Sequence, residues 1–144
     1  MNRITHFEFA TTDLEKTAQF YRDAFGWEIK KWDGPVDYWL ITTGDPNQPG
    51  LAGGGLMPSD ETFTGTINTI QVDDIDAAIA KVQECGAEII FPKDAIPGVG
   101  YQAYFRDPTG IIVGIHQTDP NAGMARQTDL KTKAAGTIPG GFPD

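Results

Sequence analysis

One pattern occurs twice in this chain, and that repetition restricts the fold more than any other feature. The first copy opens with His6-Phe7-Glu8-Phe9-Ala10-Thr11-Thr12-Asp13-Leu14-Glu15 and runs on to Phe25-Gly26-Trp27-Glu28. The second opens with Ile67-Asn68-Thr69-Ile70-Gln71-Val72-Asp73-Asp74-Ile75-Asp76 and runs on to Cys85-Gly86-Ala87-Glu88-Ile89. Asp13 aligns with Asp74 and Leu14 with Ile75, while Gly26 and Gly86 close both helical stretches at nearly the same offset. A supersecondary unit used twice predicts two like modules stacked into one architecture.

In the first copy, Arg3 to Ala10 alternates as a strand does. Ile4, His6, Glu8 and Ala10 share one face, and Thr5, Phe7 and Phe9 share the other. Thr12-Asp13-Leu14-Glu15 fits a capping box, with Thr12 as N-cap and Glu15 three residues on. The helix that follows places Leu14, Ala18, Tyr21 and Phe25 on one stripe, and Gly26 stops it. Phe7 and Phe9 are the natural partners of that stripe, so His6 and Glu8 are expected to point away from the helix. Trp27 to Trp32 and Tyr38 to Thr43 read as further strands. The run Gly53-Gly54-Gly55-Leu56-Met57 reads as an edge strand whose missing side chains admit a close neighbour. Three glycines without a following Lys-Ser or Lys-Thr and a helix start do not make a phosphate loop.

The second copy repeats the order. Gly65 to Val72 is a strand, Asp73 or Asp74 caps a helix bearing Ile75, Ala78, Ile79, Val82 and Cys85, and Glu88 to Pro92 follows as a strand. Tyr101 to Arg106 and Ile111 to Gln117 are strands joined by the tight turn Asp107-Pro108-Thr109-Gly110. Asp107 is expected to build that turn, and the Asp73-Asp74-Asp76 group to cap the helix, without chemistry. The expected organisation is a module over 1–61, a second over 62–117, and a flexible or loosely docked tail over 118–144.

Charge and cysteine narrow the setting. A net charge of -9 opposes binding to nucleic acid or an anionic membrane surface. The lone Cys85 cannot form an internal disulfide, and at a helix end it is expected to be a small buried residue. The N-terminal residues carry neither a signal region nor an apolar run that could span a bilayer, so a cytoplasmic protein is expected.

The doubled strand-helix-strand-strand-strand module, opening with His-Phe-Glu-Phe and closing with Asp-Pro-Thr-Gly, resembles the vicinal-oxygen-chelate superfamily. That superfamily holds the glyoxalases, extradiol dioxygenases and the bleomycin- and fosfomycin-resistance proteins. The resemblance covers Arg3 to Gln117. Asp13-Leu14 with Phe20-Tyr21 and Phe25-Gly26-Trp27 carry it, as do Gly53 to Met57, Val72 to Asp76, and Asp107 to Gly110. The chain is most similar to small bacterial glyoxalase-like proteins described as related to lactoylglutathione lyase. The resemblance implies an α+β fold in which two βαβββ modules form a curled mixed sheet, a partial barrel, with the helices outside. His6 and Glu8 would then face its cleft.

The superfamily's enzymes hold one divalent metal with His and Glu side chains, two from each module. The resemblance puts those ligands at His6, on the strand Gly53 to Met57, at Ile67 and at Gly114, and only His6 can coordinate. A rebuilt site would be a two-histidine, one-carboxylate set of His6, Glu8 and His116, the last sharing Gly114's face by alternation. Aromatics on the strands, Trp32, Tyr38, Trp39, Tyr101 and Tyr104, suit a pocket for a planar organic ligand.

The expected function is that of a glyoxalase-like or bleomycin-resistance-like protein binding a small organic molecule in the cleft, without the usual four-ligand metal. Its expected ligand-binding residues are His6, Glu8, Trp39, Tyr101, Tyr104 and His116. The alternative is a lyase, isomerase or oxygenase. There His6 and Glu8 are catalytic, acting as general base or joining His116 around a divalent metal. A homodimer is expected from the resemblance.

Overall fold

The computed structural model describes residues 1–123. Its elements follow the repeat: β1 (Arg3–Thr11), α1 (Leu14–Phe25), β2 (Glu28–Lys31), β3 (Trp39–Thr42) and β4 (Gly53–Pro58). Then come β5 (Gly65–Gln71), α2 (Ile75–Glu84), β6 (Glu88–Ile96), β7 (Gly100–Arg106) and β8 (Ile112–Thr118). The fold is α+β, with the βαβββ unit used twice. The chain divides into two compact units, Thr5–Asn68 and Thr69 onward, the latter taking in Met1–Ile4. In that second unit the Met1 amino group pairs with Asp73 at 2.8 Å, and Asn2 N–H donates to the Gln71 carbonyl.

In the first unit the strands lie in the order β2-β3-β4-β1. β4 runs parallel to β1, pairing Glu8 with Gly55, and antiparallel to β3, pairing Leu40 with Gly55. The glycine strand therefore lies between two partners and is not the edge expected for it. Its missing side chains admit rings of the same unit: a Cβ at Gly54 would lie 2.5 Å from the Phe7 ring.

Helix α1 begins one residue later than the capping-box pattern implies. Asp13, extended at φ -145°, is the N-cap, and its carboxylate accepts from Lys16 N–H at 3.0 Å. Thr11 Oγ1 takes the Asp13 N–H at 3.2 Å, so Thr12 is left without the capping role. Gly26, at φ 70°, ends the helix in the left-handed region. The apolar stripe of α1 packs as its spacing requires. Phe7, Ala18, Ile29, Ile41 and Leu56 form one buried cluster, with Phe9, Leu14, Tyr21, Trp27 and Trp39 against it.

In the second unit the order is β5-β8-β7-β6. Asp74 caps α2 by accepting from Ala77 N–H at 3.1 Å. Val72, Ile75, Ala103, Phe105 and Ile115 make this unit's buried cluster. β6 extends past Pro92 to Ile96, and its register with β7 shifts on either side of Phe91. Bulges let a strand continue through a sequence that reads as a break. Asp107 does build its turn, accepting from Thr109 N–H, Thr109 Oγ1 and Ile111 N–H at 2.8 to 2.9 Å. Those donors hold its carboxyl below the usual range, the Ile111 contact foremost.

One expectation changes here. Cys85 is exposed, not buried; it is the C-cap of α2, and the cluster against which Ile75, Ala78, Ile79 and Val82 pack does not take it in. The start of the expected tail pairs with the loop before β7. Asp119 N–H donates to the Val99 carbonyl, Gly98 N–H to that of Ala122, and Ala122 is fully buried. The rest of the tail, 124–144, lies outside the described residues. Among the described residues no helix is long and apolar enough to cross a membrane.

Candidate functional site

Alternation along β1 separates two kinds of side chain. Phe7 and Phe9 join the α1 cluster, while His6 and Glu8 are buried on the opposite side of the strand. The nearest part of β4 on that side is glycine. His6 Nδ1 lies 3.9 Å from where a Gly53 Cβ would be, and a Cβ at Gly55 would overlap the Tyr38 hydroxyl. Tyr38 is fully buried, and its hydroxyl is 3.2 Å from His6 Nε2. Glu8, paired with Gly55 in register, is fully buried as well. The first unit thus presents a histidine, a carboxyl group and a phenol on one sheet face, with glycine backbone beneath them.

The second unit builds a different group from the equivalent strands. In β7 and β8, Tyr104 pairs with Gly114 and Gln102 with His116. His116 Nδ1 is 2.9 Å from Gln102 Oε1. Burial lowers the imidazole pKa to about 4, so His116 is neutral near pH 7, with Nδ1 against that amide. Thr69 and Gln102 are buried, and neither Thr69 Oγ1 nor Gln102 Nε2 has a hydrogen-bond partner among the described residues.

Of the aromatics expected to line a ligand face, Tyr104 stands with Gln102 beside Gly114. Trp39 and Tyr101 do not share that side in their strands. Trp39 packs on the α1 cluster beneath the Arg22 guanidinium, and Tyr101 packs on the α2 cluster beneath Lys93. Residue type suggested these positions; the strand period of two decides them. By the same period, Tyr38 comes to the His6 side and Gln102 to the Tyr104 side. Sequence reasoning missed Thr69 and Gln102. The signal available was parity, since Thr69 is the repeat partner of Glu8 and Gln102 stands two residues before Tyr104.

The ligand positions implied by the resemblance do not fit a four-ligand metal. On β4 the face of Gly55 is filled by Tyr38. Ile67 is a buried core residue. At Gly114 a Cβ would come within 2.6 Å of Thr69 Oγ1 and 2.8 Å of Gln102 Nε2, so no coordinating side chain can start there without displacing them. Among the described residues no group of three or more His, Cys, Asp or Glu side chains is placed to hold a metal ion. His6 and Glu8 belong to the first unit and His116 to the second.

Residues 3–115 match the family model of the Glyoxalase/Bleomycin resistance protein/Dioxygenase superfamily, and the chain belongs to that superfamily. Mycobacterial proteins named "Putative glyoxylase CFP32", from Mycobacterium bovis and Mycobacterium tuberculosis, are 31% identical over 128 residues. That match takes in 87% of this chain and 49% of theirs, so the chain spans about half the length of these relatives. In fold the chain is similar to a methylmalonyl-CoA epimerase of Streptomyces coelicolor. The TM-score is 0.62 at 18% identity, covering 85% of this chain and 98% of that one. The methylmalonyl-CoA epimerase of Mycobacterium tuberculosis gives 0.59 at 18% identity, covering 81% and 88%.

Proposed function

We propose that this protein binds a small organic molecule on the His6–Glu8 face of its sheet without the superfamily's four-ligand metal. One observation carries the reading: Tyr38 fills the space over Gly55, on the strand Gly53 to Met57 where the resemblance puts a metal ligand, and its hydroxyl approaches His6, the one ligand position that is kept. A phenol at that place supplies a hydrogen bond in place of a coordination bond. Superfamily membership supports a small-molecule ligand; the ligand's identity is part of the proposal.

The test has two arms. Protein purified without chelator is expected to carry far less than one transition-metal ion per chain. A near-stoichiometric metal that disappears in His6→Ala sinks the reading. In a thermal-shift screen of small aromatic and carbonyl compounds, hits should raise the melting temperature by mass action, and Glu8→Gln or Tyr38→Phe should shrink that rise.

The full burial of Glu8 on the same strand face as His6 favours a second reading. Either group could move a proton at a carbon next to a carbonyl, as expected of a lyase or isomerase. Methylmalonyl-CoA, named with a structurally similar epimerase, is the first substrate to try. Incubation in deuterium oxide should then label the carbon between the two carbonyls. No label above the uncatalysed rate removes this substrate, and label that survives in both Glu8→Gln and His6→Ala removes these residues from the role. We also propose a homodimer, checked by sedimentation at twice the 15.6 kDa chain mass.

A further inference from the structure

The two helices come from one repeated unit, yet their outer faces differ. Counted from the caps Asp13 and Asp74, Phe20 on α1 corresponds to Lys81 on α2; counted back from Gly26 and Gly86, Phe25 corresponds to Cys85. The repeat therefore does not require an aromatic side chain at either place. Phe20 is 58% exposed and Phe25 66%, so the core of their own unit gains little from these rings. Tyr21 joins the two, edge-on to Phe20 at 5.0 Å and stacked with Phe25 at 6.1 Å between ring centroids. Trp27 continues the patch, stacked 4.9 Å from Tyr21. Single exposed apolar residues are ordinary, whereas a contiguous aromatic patch marks a contact surface.

Charge indicates what fits there. Lys16 and Asp23 are exposed on the same outer face as Phe20, two helical turns apart, and Phe20 stands close to their midpoint. Gln19 Nε2 donates to the Asp23 carboxylate at 2.8 Å and holds it beside that face. Neither Lys16 nor Asp23 is in an ion pair among the described residues. A two-fold axis beside Phe20 that lays α1 antiparallel on a copy of itself brings Lys16 of each chain against Asp23 of the other, and Phe20 against its own counterpart. Ala24, exposed one turn on, leaves room for the opposing ring. A parallel pairing would instead set lysine against lysine and aspartate against aspartate.

We propose that the outer face of α1 is the surface on which this chain pairs with a second copy of itself. The Phe20 rings pack on the two-fold axis, and a Lys16–Asp23 pair closes each end. The inference rests on the homodimer proposed above and names its surface. Helix α1 has 12 residues and is about 18 Å long, so the contact is small for a specific interface and should dissociate in the micromolar range.

Sedimentation equilibrium of the full chain over a micromolar concentration series reads the dissociation constant. Phe20→Lys gives α1 the residue that α2 carries at the same place, and should weaken pairing about a hundredfold, because the ring is lost twice per dimer. At concentrations where the chain is monomeric, its circular-dichroism spectrum and melting temperature should match the native chain's. Lys16→Glu and Asp23→Lys each set like charges against each other and should weaken pairing about three- to tenfold. The double exchange Lys16→Glu/Asp23→Lys should restore it. Mixing the two single variants should restore it too, as a heterodimer. A part played by these residues in folding alone could produce neither rescue.

A dimer unmoved by Phe20→Lys and by both charge variants overturns this surface and leaves the homodimer standing. A double exchange weaker than either single variant overturns the antiparallel pairing and the proposal with it. A monomer at every concentration overturns surface and homodimer together; shifts in the NMR signals of residues 124–144 on Phe20→Lys would then assign the face to that segment.

Discussion

The two copies of the module keep one backbone slot and fill it with unlike chemistry. In the first, Gly55 on β4 lies under the Tyr38 phenol, and a histidine from the opening strand, His6, meets the phenol oxygen. In the second, Gly114 on β8 lies under the Gln102 amide and the Thr69 hydroxyl, and the histidine, His116, comes from β8 itself. Glycine is needed in both for the same reason, because a side chain there would occupy the volume of the group above it. The covering groups differ because the slot fixes only space and direction. A large aromatic fills the first slot, while two small polar groups leave the second with donors to spare. The repeated fold therefore dictates where a site can form, and single residues decide what it binds.

The largest expected effect tests the filled slot. Tyr38→Ala should lower stability by about 3–5 kcal/mol in urea denaturation, as for other buried aromatics. Gly55→Ala should cost about 1–3 kcal/mol by overpacking against that ring. In the Tyr38→Ala background the Gly55→Ala cost should vanish, since nothing remains to overlap. Additive costs would mean that Tyr38 does not define the slot.

The second slot carries a pH signature that the first does not share through His116. An unfolded imidazole titrates near its ordinary value of 6.5, whereas native His116 is held at about 4 by burial. The unfolded chain therefore binds a proton first as the pH drops, and stability should fall from pH 6.5 towards 4 and level off below. The full loss is on the order of 3 kcal/mol from the size of the shift. In His116→Gln that part of the pH dependence should be absent from denaturation curves taken between pH 7 and 4. An unchanged slope assigns it to other groups.

The smallest effect separates Asp13 from Thr12 at the head of α1. Asp13→Ala should cost about 1 kcal/mol through the lost cap, and Thr12→Ala within about 0.5 kcal/mol. Asp74→Ala should match Asp13→Ala, because the repeat gives both helices the same cap. Equal losses at Thr12 and Asp13 would restore the capping box read from the sequence.

Much of this was legible beforehand. The strand and helix order, the helix-stopping glycines, the turn at Asp107 and the separation of Phe7 and Phe9 from His6 and Glu8 all follow from local rules of period, capping and turn chemistry. The site was less legible. Trp39 and Tyr101 looked suited to a ligand by residue type, yet they pack on the helix clusters, and the polar residues Thr69 and Gln102 drew no notice. Cys85 was misread for a related reason: burial depends on which neighbours arrive from elsewhere in the chain.

The opening repeat marks the limit between the two sources of information. By itself the sequence determined that the βαβββ unit is used twice, that His6 and Glu8 oppose the helix face, and that Ile67 and Gly114 cannot bind a metal. These are properties of covalent spacing and residue chemistry. Only the tertiary structure decided that Tyr38 fills the space over Gly55 and that Thr69 and Gln102 converge over Gly114. Those residues are far apart along the chain, and the register between strands sets which side chains meet. No local pattern encodes that register on its own.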